Sequence, residues 1–187
     1  MKGKTMMSRI EIVHDSVVFQ ETDAIVNAAN VTLLGGGGVD GAIHDAAGPG
    51  LYWHFHNLGR TCQPGDAIES PGFGLPAKHI IHTVGPIWHN GENGAPETLG
   101  KCYANCLAEA VAHGCKSIAF CCISTGVYGY PLEPATRIAL STVAKWLQEH
   151  DSDMIVRFCC YSSREFKAYK KVAHELGICY SSPHMDD

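Results

Sequence analysis

Ala24-Ile-Val-Asn-Ala-Ala-Asn-Val-Thr-Leu-Leu-Gly-Gly-Gly-Gly-Val-Asp-Gly-Ala-Ile-His-Asp-Ala-Ala47 holds an apolar run, a glycine loop and a helical pattern in one stretch. Ala24 to Val26 reads as a strand, and Val39 to Ala47 as a helix stopped by Gly48-Pro49. Between them, Gly35 to Gly38 carry no Cβ atoms, so their main-chain N–H groups can approach a bulky anion closely. The helix that follows aims its positive end the same way, which makes the loop a phosphate cradle. Asn27, Asn30 and Asp40 flank the cradle, so binding and chemistry can share one loop.

Working outward, short apolar runs alternate with helical patterns. Ile10 to Val13, Gly65 to Ser70, His79 to Val84, Ser117 to Ile123 and Met154 to Tyr161 read as further strands. Leu51 to Leu58, Pro96 to His113, Leu132 to Glu149 and Ser163 to Leu176 read as helices. No repeat or linker divides the 187 residues. The pattern predicts a single α/β domain over residues 1–187, a three-layer α/β/α sandwich with a mixed sheet of about six strands. Its core runs from about residue 10 to 176, with loose N- and C-terminal tails, the latter from Ser181.

Hydrophobic residues at 45% and charged ones at 18% suit a folded globule and argue against disorder. A formal net charge of −5 gives no basic footprint, so a nucleic-acid polymer is not an expected partner. No apolar run reaches the length of a membrane span, and Met1 to Arg9 lacks an apolar signal core, so a soluble, cytoplasmic protein is expected. The nine cysteines form an odd set that fits no closed disulfide framework. They read as reduced thiols buried as small hydrophobes. The CxxC spacing of zinc sites is missing, and no metal is expected.

A second loop, Ser124-Thr-Gly-Val-Tyr-Gly-Tyr-Pro131, follows the strand ending near Ile123. In open α/β sheets ligands collect at the carboxyl ends of the strands, where both loops lie, and two walls of N–H donors suit a diphosphate. Other nucleotide motifs fail on detail. Gly-Val-Asp stands where a P-loop needs Gly-Lys-Ser or Gly-Lys-Thr, the glycines do not match GxGxxG, and Ser124 lacks the GxSxG elbow.

Asn27-Ala-Ala-Asn30, Leu33-Leu-Gly-Gly-Gly-Gly-Val-Asp-Gly-Ala-Ile-His44 and Ile123-Ser-Thr-Gly-Val-Tyr-Gly-Tyr-Pro131 together resemble the signature of the macro domain family, in its MacroD-type branch. Leu75-Pro-Ala-Lys-His-Ile-Ile-His-Thr-Val-Gly-Pro86 also resembles that branch, and the likeness spans roughly Ile10 to Leu176. The resemblance implies a macro domain fold and a hydrolase that binds ADP-ribose and removes ester-linked groups at its distal ribose. Its substrates would be O-acetyl-ADP-ribose and proteins carrying mono-ADP-ribose on acidic side chains. No cofactor is called for. A non-catalytic ADP-ribose reader is the alternative.

On this likeness, Asp15 would accept a hydrogen bond from the adenine amino group, and the Ser16 main-chain N–H would meet a ring nitrogen. Gly36, Gly37, Gly38 and Val39 would hold one side of the diphosphate, with Ser124, Thr125, Gly126 and Val127 on the other. Tyr128 would pack on the distal ribose, Asn30 would orient its hydroxyls, and Asp40 would position or deprotonate the attacking water. Asn30 and Asp40 are the catalytic candidates. Asn27 is read instead as holding the turn by bonding backbone groups, and His44, one turn after Asp40, as a packed helix residue. Two positions depart from the family pattern: His14 where Gly is usual before Asp15, and Ser162 where relatives often have Asp.

Overall fold

The computed structural model describes residues 8–183. In chain order the elements are β1 (Ile10–His14), a 3-10 turn at Val17–Phe19, β2 (Ala24–Ala28), α1 (Gly38–Ala47), α2 (Pro49–Leu58), β3 (Ala67–Pro71) and β4 (His79–Thr83). They continue with α3 (Ala95–Ala112), β5 (Ser117–Phe120), α4 (Leu132–Glu149), β6 (Ile155–Cys160) and α5 (Ser163–Glu175). One sheet of six strands runs in the order β1-β6-β5-β2-β4-β3, with every neighbouring pair parallel except β3 and β4. The sheet is mixed, as the alternating pattern predicts.

Alternate residues of each strand face opposite layers. Asn27 of β2 reaches Asp40 of α1, and His82 of β4 meets the edge of Phe55 of α2, so α1 and α2 cover that face. On the other face Phe120 of β5 and Phe158 of β6 pack with Tyr103 of α3 and Tyr169 of α5, and α4 lies between those two helices. These rings form a buried aromatic centre. Seven cysteines are buried and Cys122 is half-buried; all nine thiols are free. Burial pushes the Cys121 thiol up to about 12, so it stays protonated and apolar in behaviour.

Two departures from the sequence expectation matter. β5 stops at Phe120, three residues before Ile123, because its pairing with β2 covers only Ala24↔Ile118 and Ile25↔Ala119. Beyond that point β2 stays with β4 and β5 with β6, and the sheet splays open. Secondly, Ser181 is not loose: its N–H bonds Ile10 O and its carbonyl accepts from Ile12 N–H, both at 3.0 Å, along the outer edge of β1. The expectations for residues 1–7 and 184–187 fall outside the described residues.

Candidate functional site

The splay between β2 and β5 opens a cavity of about 560 Å³ at the carboxyl ends of the strands. Its floor is Ala28 and Ala29 on one side and Cys121 and Cys122 on the other, and its walls are the two glycine-bearing loops. Asp15, Ser16, Asn30, Gly36, Gly37, Gly38, Val39, Asp40, Ser124, Thr125, Gly126, Val127 and Tyr128 all line it.

The first loop is shaped by Asn30 and Leu33. Asn30 Oδ1 accepts from Thr32 N (3.2 Å) and Thr32 Oγ1 (2.6 Å), while Asn30 Nδ2 donates to Gly35 O at 2.9 Å. Leu33, fully buried, takes a left-handed φ of 62° and pins the loop to the core. Gly36 O then lies so close over α1 that a Cβ on Gly41 would sit 2.7 Å from it. Among the described residues, no backbone bond engages the N–H groups of Gly35 to Asp40, and no side chain caps α1. That end of the helix therefore presents open donors to the cavity.

The second loop is pinned at both ends and free at its tip. Ser124 has φ 65° with its hydroxyl buried, and a Cβ on Gly85 would sit 2.1 Å from Ser124 Oγ. Tyr130 N bonds Ser124 O, Gly129 N bonds Gly126 O, and Trp88 N bonds Tyr128 O at 2.8 Å, with the Trp88 ring 4.5 Å from that of Tyr130. The N–H groups of Ser124 to Tyr128 make no bond to another backbone group among the described residues. Val127, 99% exposed, forms the tip.

At the far end of the cavity Asp15 Oδ1 accepts from Ser16 N at 2.7 Å, and Oδ2 accepts from Gln20 Nε2 at 2.9 Å. The Ser16 N–H is thus engaged by the carboxylate of its own neighbour. Tyr161, largely exposed, and Val17 line this end.

Asp40 is 5% exposed in the first turn of α1. Its Oδ1 accepts from Asn27 Nδ2 at 2.8 Å, and His44 Nε2 lies 3.5 Å from the same oxygen. Burial raises the carboxyl above its ordinary range, and the Asn27 bond and His44 offset part of that rise. A Cβ on Gly36 would stand 3.1 Å from Asp40 Oδ2 and 3.4 Å from Asn30 Nδ2, so amide and carboxylate flank one bare Cα. The cavity thus sets a buried carboxylate beside open N–H donors, an arrangement able to orient water and to hold an anion.

Asn27 does not hold the turn through backbone groups. Its Nδ2 bonds Asp40 and, at 3.1 Å, His82 Nδ1, while its Oδ1 is buried without a partner. An orphaned buried acceptor costs about 1–3 kcal/mol, which the Asp40 contact must offset. His82 Nε2 lies 2.8 Å from Ser70 Oγ, which donates to Pro71 O. Burial, then His44 and His54, pushes the His82 imidazole down to about 3, so it is neutral. The sequence signal for these partners was present only as the Ile80-Ile-His-Thr-Val-Gly85 run, whose Gly85 also underlies the second loop.

A family model described as "Macro domain" matches residues 26–139. The O-acetyl-ADP-ribose deacetylase of Citrobacter rodentium is 45% identical over 175 residues, 92% of this chain and 99% of that protein. The ADP-ribose glycohydrolase MACROD2 of Homo sapiens is 46% identical over 92% of this chain, which spans 41% of that longer protein. Among solved structures, the Oceanobacillus iheyensis macrodomain with ADP superposes with a TM-score of 0.87 at 42% identity, covering 94% of this chain and 95% of that one.

Proposed function

Because the chain belongs to the macro domain family, we propose that it is a hydrolase that binds ADP-ribose and cleaves groups ester-linked at the distal ribose. Its substrates are O-acetyl-ADP-ribose and proteins bearing mono-ADP-ribose on acidic side chains. The observation that carries this reading is the buried Asp40 carboxylate set beside Asn30 across Gly36, at the open N-terminus of α1.

The diphosphate lies between the two loops, where the N–H groups of Gly36 to Val39 and Ser124 to Val127 neutralise it without a metal. Asp15 takes the adenine end, and Tyr128 packs on the distal ribose. Asn30 spends one amide hydrogen on Gly35 O and keeps the other for a ribose hydroxyl. Asp40 positions and deprotonates the attacking water, and burial brings its basicity nearer to that needed at neutral pH. Asp40→Ala is expected to lower turnover of both esters about a hundredfold or more while leaving ADP-ribose binding, measured calorimetrically, within a fewfold of the parent. Unchanged turnover would remove Asp40 from the mechanism.

A reader of ADP-ribose without turnover is the second reading, favoured by the commitment of Asn30 to its own loop. Tight ADP-ribose binding with no cleavage of either ester would establish it. No nucleic-acid or membrane partner enters the proposal: the net charge is −5, and no described helix is long and apolar enough to cross a membrane. Cytoplasmic residence is part of the proposal, supported by nine unpaired thiols, and cell fractionation tests it.

A further inference from the structure

We infer that Asn27, His82 and Ser70 are positioning residues that hold Asp40 in its ionised form through a directional hydrogen-bond relay crossing three adjacent strands. The inference rests on the proposed role of Asp40 for its kinetic consequence, but not for its structural one.

Asn27 and His82 are direct register partners on β2 and β4, and Ser70 lies on β3 beyond them. All three are essentially without exposure, so solvent cannot replace any bond between them. The direction of the relay follows from its outer end. With the Ser70 hydroxyl hydrogen on Pro71 O at 3.1 Å, which has no other donor in the relay, Oγ is left to accept from His82 Nε2–H at 2.8 Å. With the hydrogen on Nε2, Nδ1 is a bare acceptor and takes one Asn27 amide hydrogen at 3.1 Å. The amide is thereby fixed with its nitrogen toward Asp40, and its other hydrogen goes to Asp40 Oδ1 at 2.8 Å.

The reversed relay is equally consistent with itself. With the hydrogen on Nδ1, the amide would turn its oxygen toward His82 and therefore toward Asp40. Two oxygens 2.8 Å apart are tolerated only if Asp40 carries a proton between them. The tautomer of a histidine one strand away thus selects between carboxylate and carboxylic acid at the site. The relay with the amide nitrogen toward Asp40 goes with the carboxylate, and it leaves Asn27 Oδ1 without a partner. His82 can act this way because it stays neutral across the working range. The titratable groups facing the pair are His44, one turn along α1, and His54 of α2, both on the α1 and α2 layer.

Nitrogen-15 shifts of the His82 ring in the parent protein are expected to show Nε2 protonated and Nδ1 bare near neutral pH; an Nδ1-protonated ring overturns the relay. In His82→Phe, whose ring can keep the edge contact with Phe55, the Asp40 carboxyl titration followed by carbon-13 resonance is expected to move up by roughly one to two units. His82→Asn, whose Oδ1 replaces the Nδ1 acceptor, is expected to return it toward the parent value. The acid limb of kcat moves by the same amount, with KM and ADP-ribose affinity little changed. An unmoved Asp40 titration in a His82→Phe protein that still binds ADP-ribose overturns the inference. Should that variant not fold, Ser70→Ala carries the test: it must yield a mixed His82 tautomer and a smaller upward shift, and a pure Nε2–H ring with unshifted Asp40 overturns the relay. A parent that shows this tautomer and titration yet cleaves neither ester refutes the hydrolase reading and leaves the relay standing.

Discussion

Gly41 is held by a contact that a methyl group would break, since its missing Cβ would lie 2.7 Å from Gly36 O. Backbone, unlike a flexible side chain, cannot swing aside, so Gly41→Ala must push the cradle away from α1. The expected cost is about 1–3 kcal/mol in urea unfolding, with a clear loss of ADP-ribose affinity by calorimetry. At this scale the sequence was legible where function is contiguous along the chain. The glycine run, Asn30 and Asp40 lie within one loop and one helical turn, so residue type and spacing suffice to group them. Asn27 and His82 are 55 residues apart, and only the parallel register of β2 and β4 brings them together. The bond from Ser16 N–H to the carboxylate before it is local, yet composition does not reveal it, because it depends on how the Asp15 side chain curls back.

Among the elements, α5 shows how a departure from the family pattern acquires a reason. Ser162 caps the helix: Ser162 Oγ accepts from Glu165 N at 3.2 Å, and Glu165 Oε2 accepts from Ser162 N at 3.0 Å. The reciprocal pair satisfies two open donors of the first turn, and Glu165 also borders the cavity. Ser162→Ala is expected to cost about 1 kcal/mol by urea unfolding, whereas Ser162→Asp should cost little because Asp caps as well. Helix ends such as this one are written in local sequence. The end of β5 is not, because Ile118 to Ile123 is apolar throughout and the strand stops where its neighbour diverges. The cavity owes its floor to that divergence, so its existence was readable from the loops while its depth was not.

For the molecule as a whole, alternating strands and helices disclosed the layers but not that β1 would join β6 or that Ser181 would cover its edge. Both depend on long-range pairing. Stability should fall as pH drops below about 6.5, the ordinary value for histidine. The unfolded chain then binds a proton that folded His82 refuses until about pH 3, a slope of at most about 1.4 kcal/mol per pH unit. Asp40 acts with the opposite sign. Its folded carboxyl is protonated more readily than its unfolded one, so it offsets part of the loss at lower pH. Denaturant titrations between pH 4 and 7 should show the decline in the parent and a flatter profile in His82→Asn.

The anchoring of the second loop gives the protein an optical reporter of its own. Trp88 N holds Tyr128 O, and the Trp88 indole rests on Tyr130, so any settling of that loop onto a ligand changes the surroundings of one fluorophore. Trp53 is on α2, and Trp146 is stacked on His150. Tryptophan emission should therefore follow ADP-ribose titration in the unlabelled protein and lose its response in Trp88→Phe, making occupancy readable in real time.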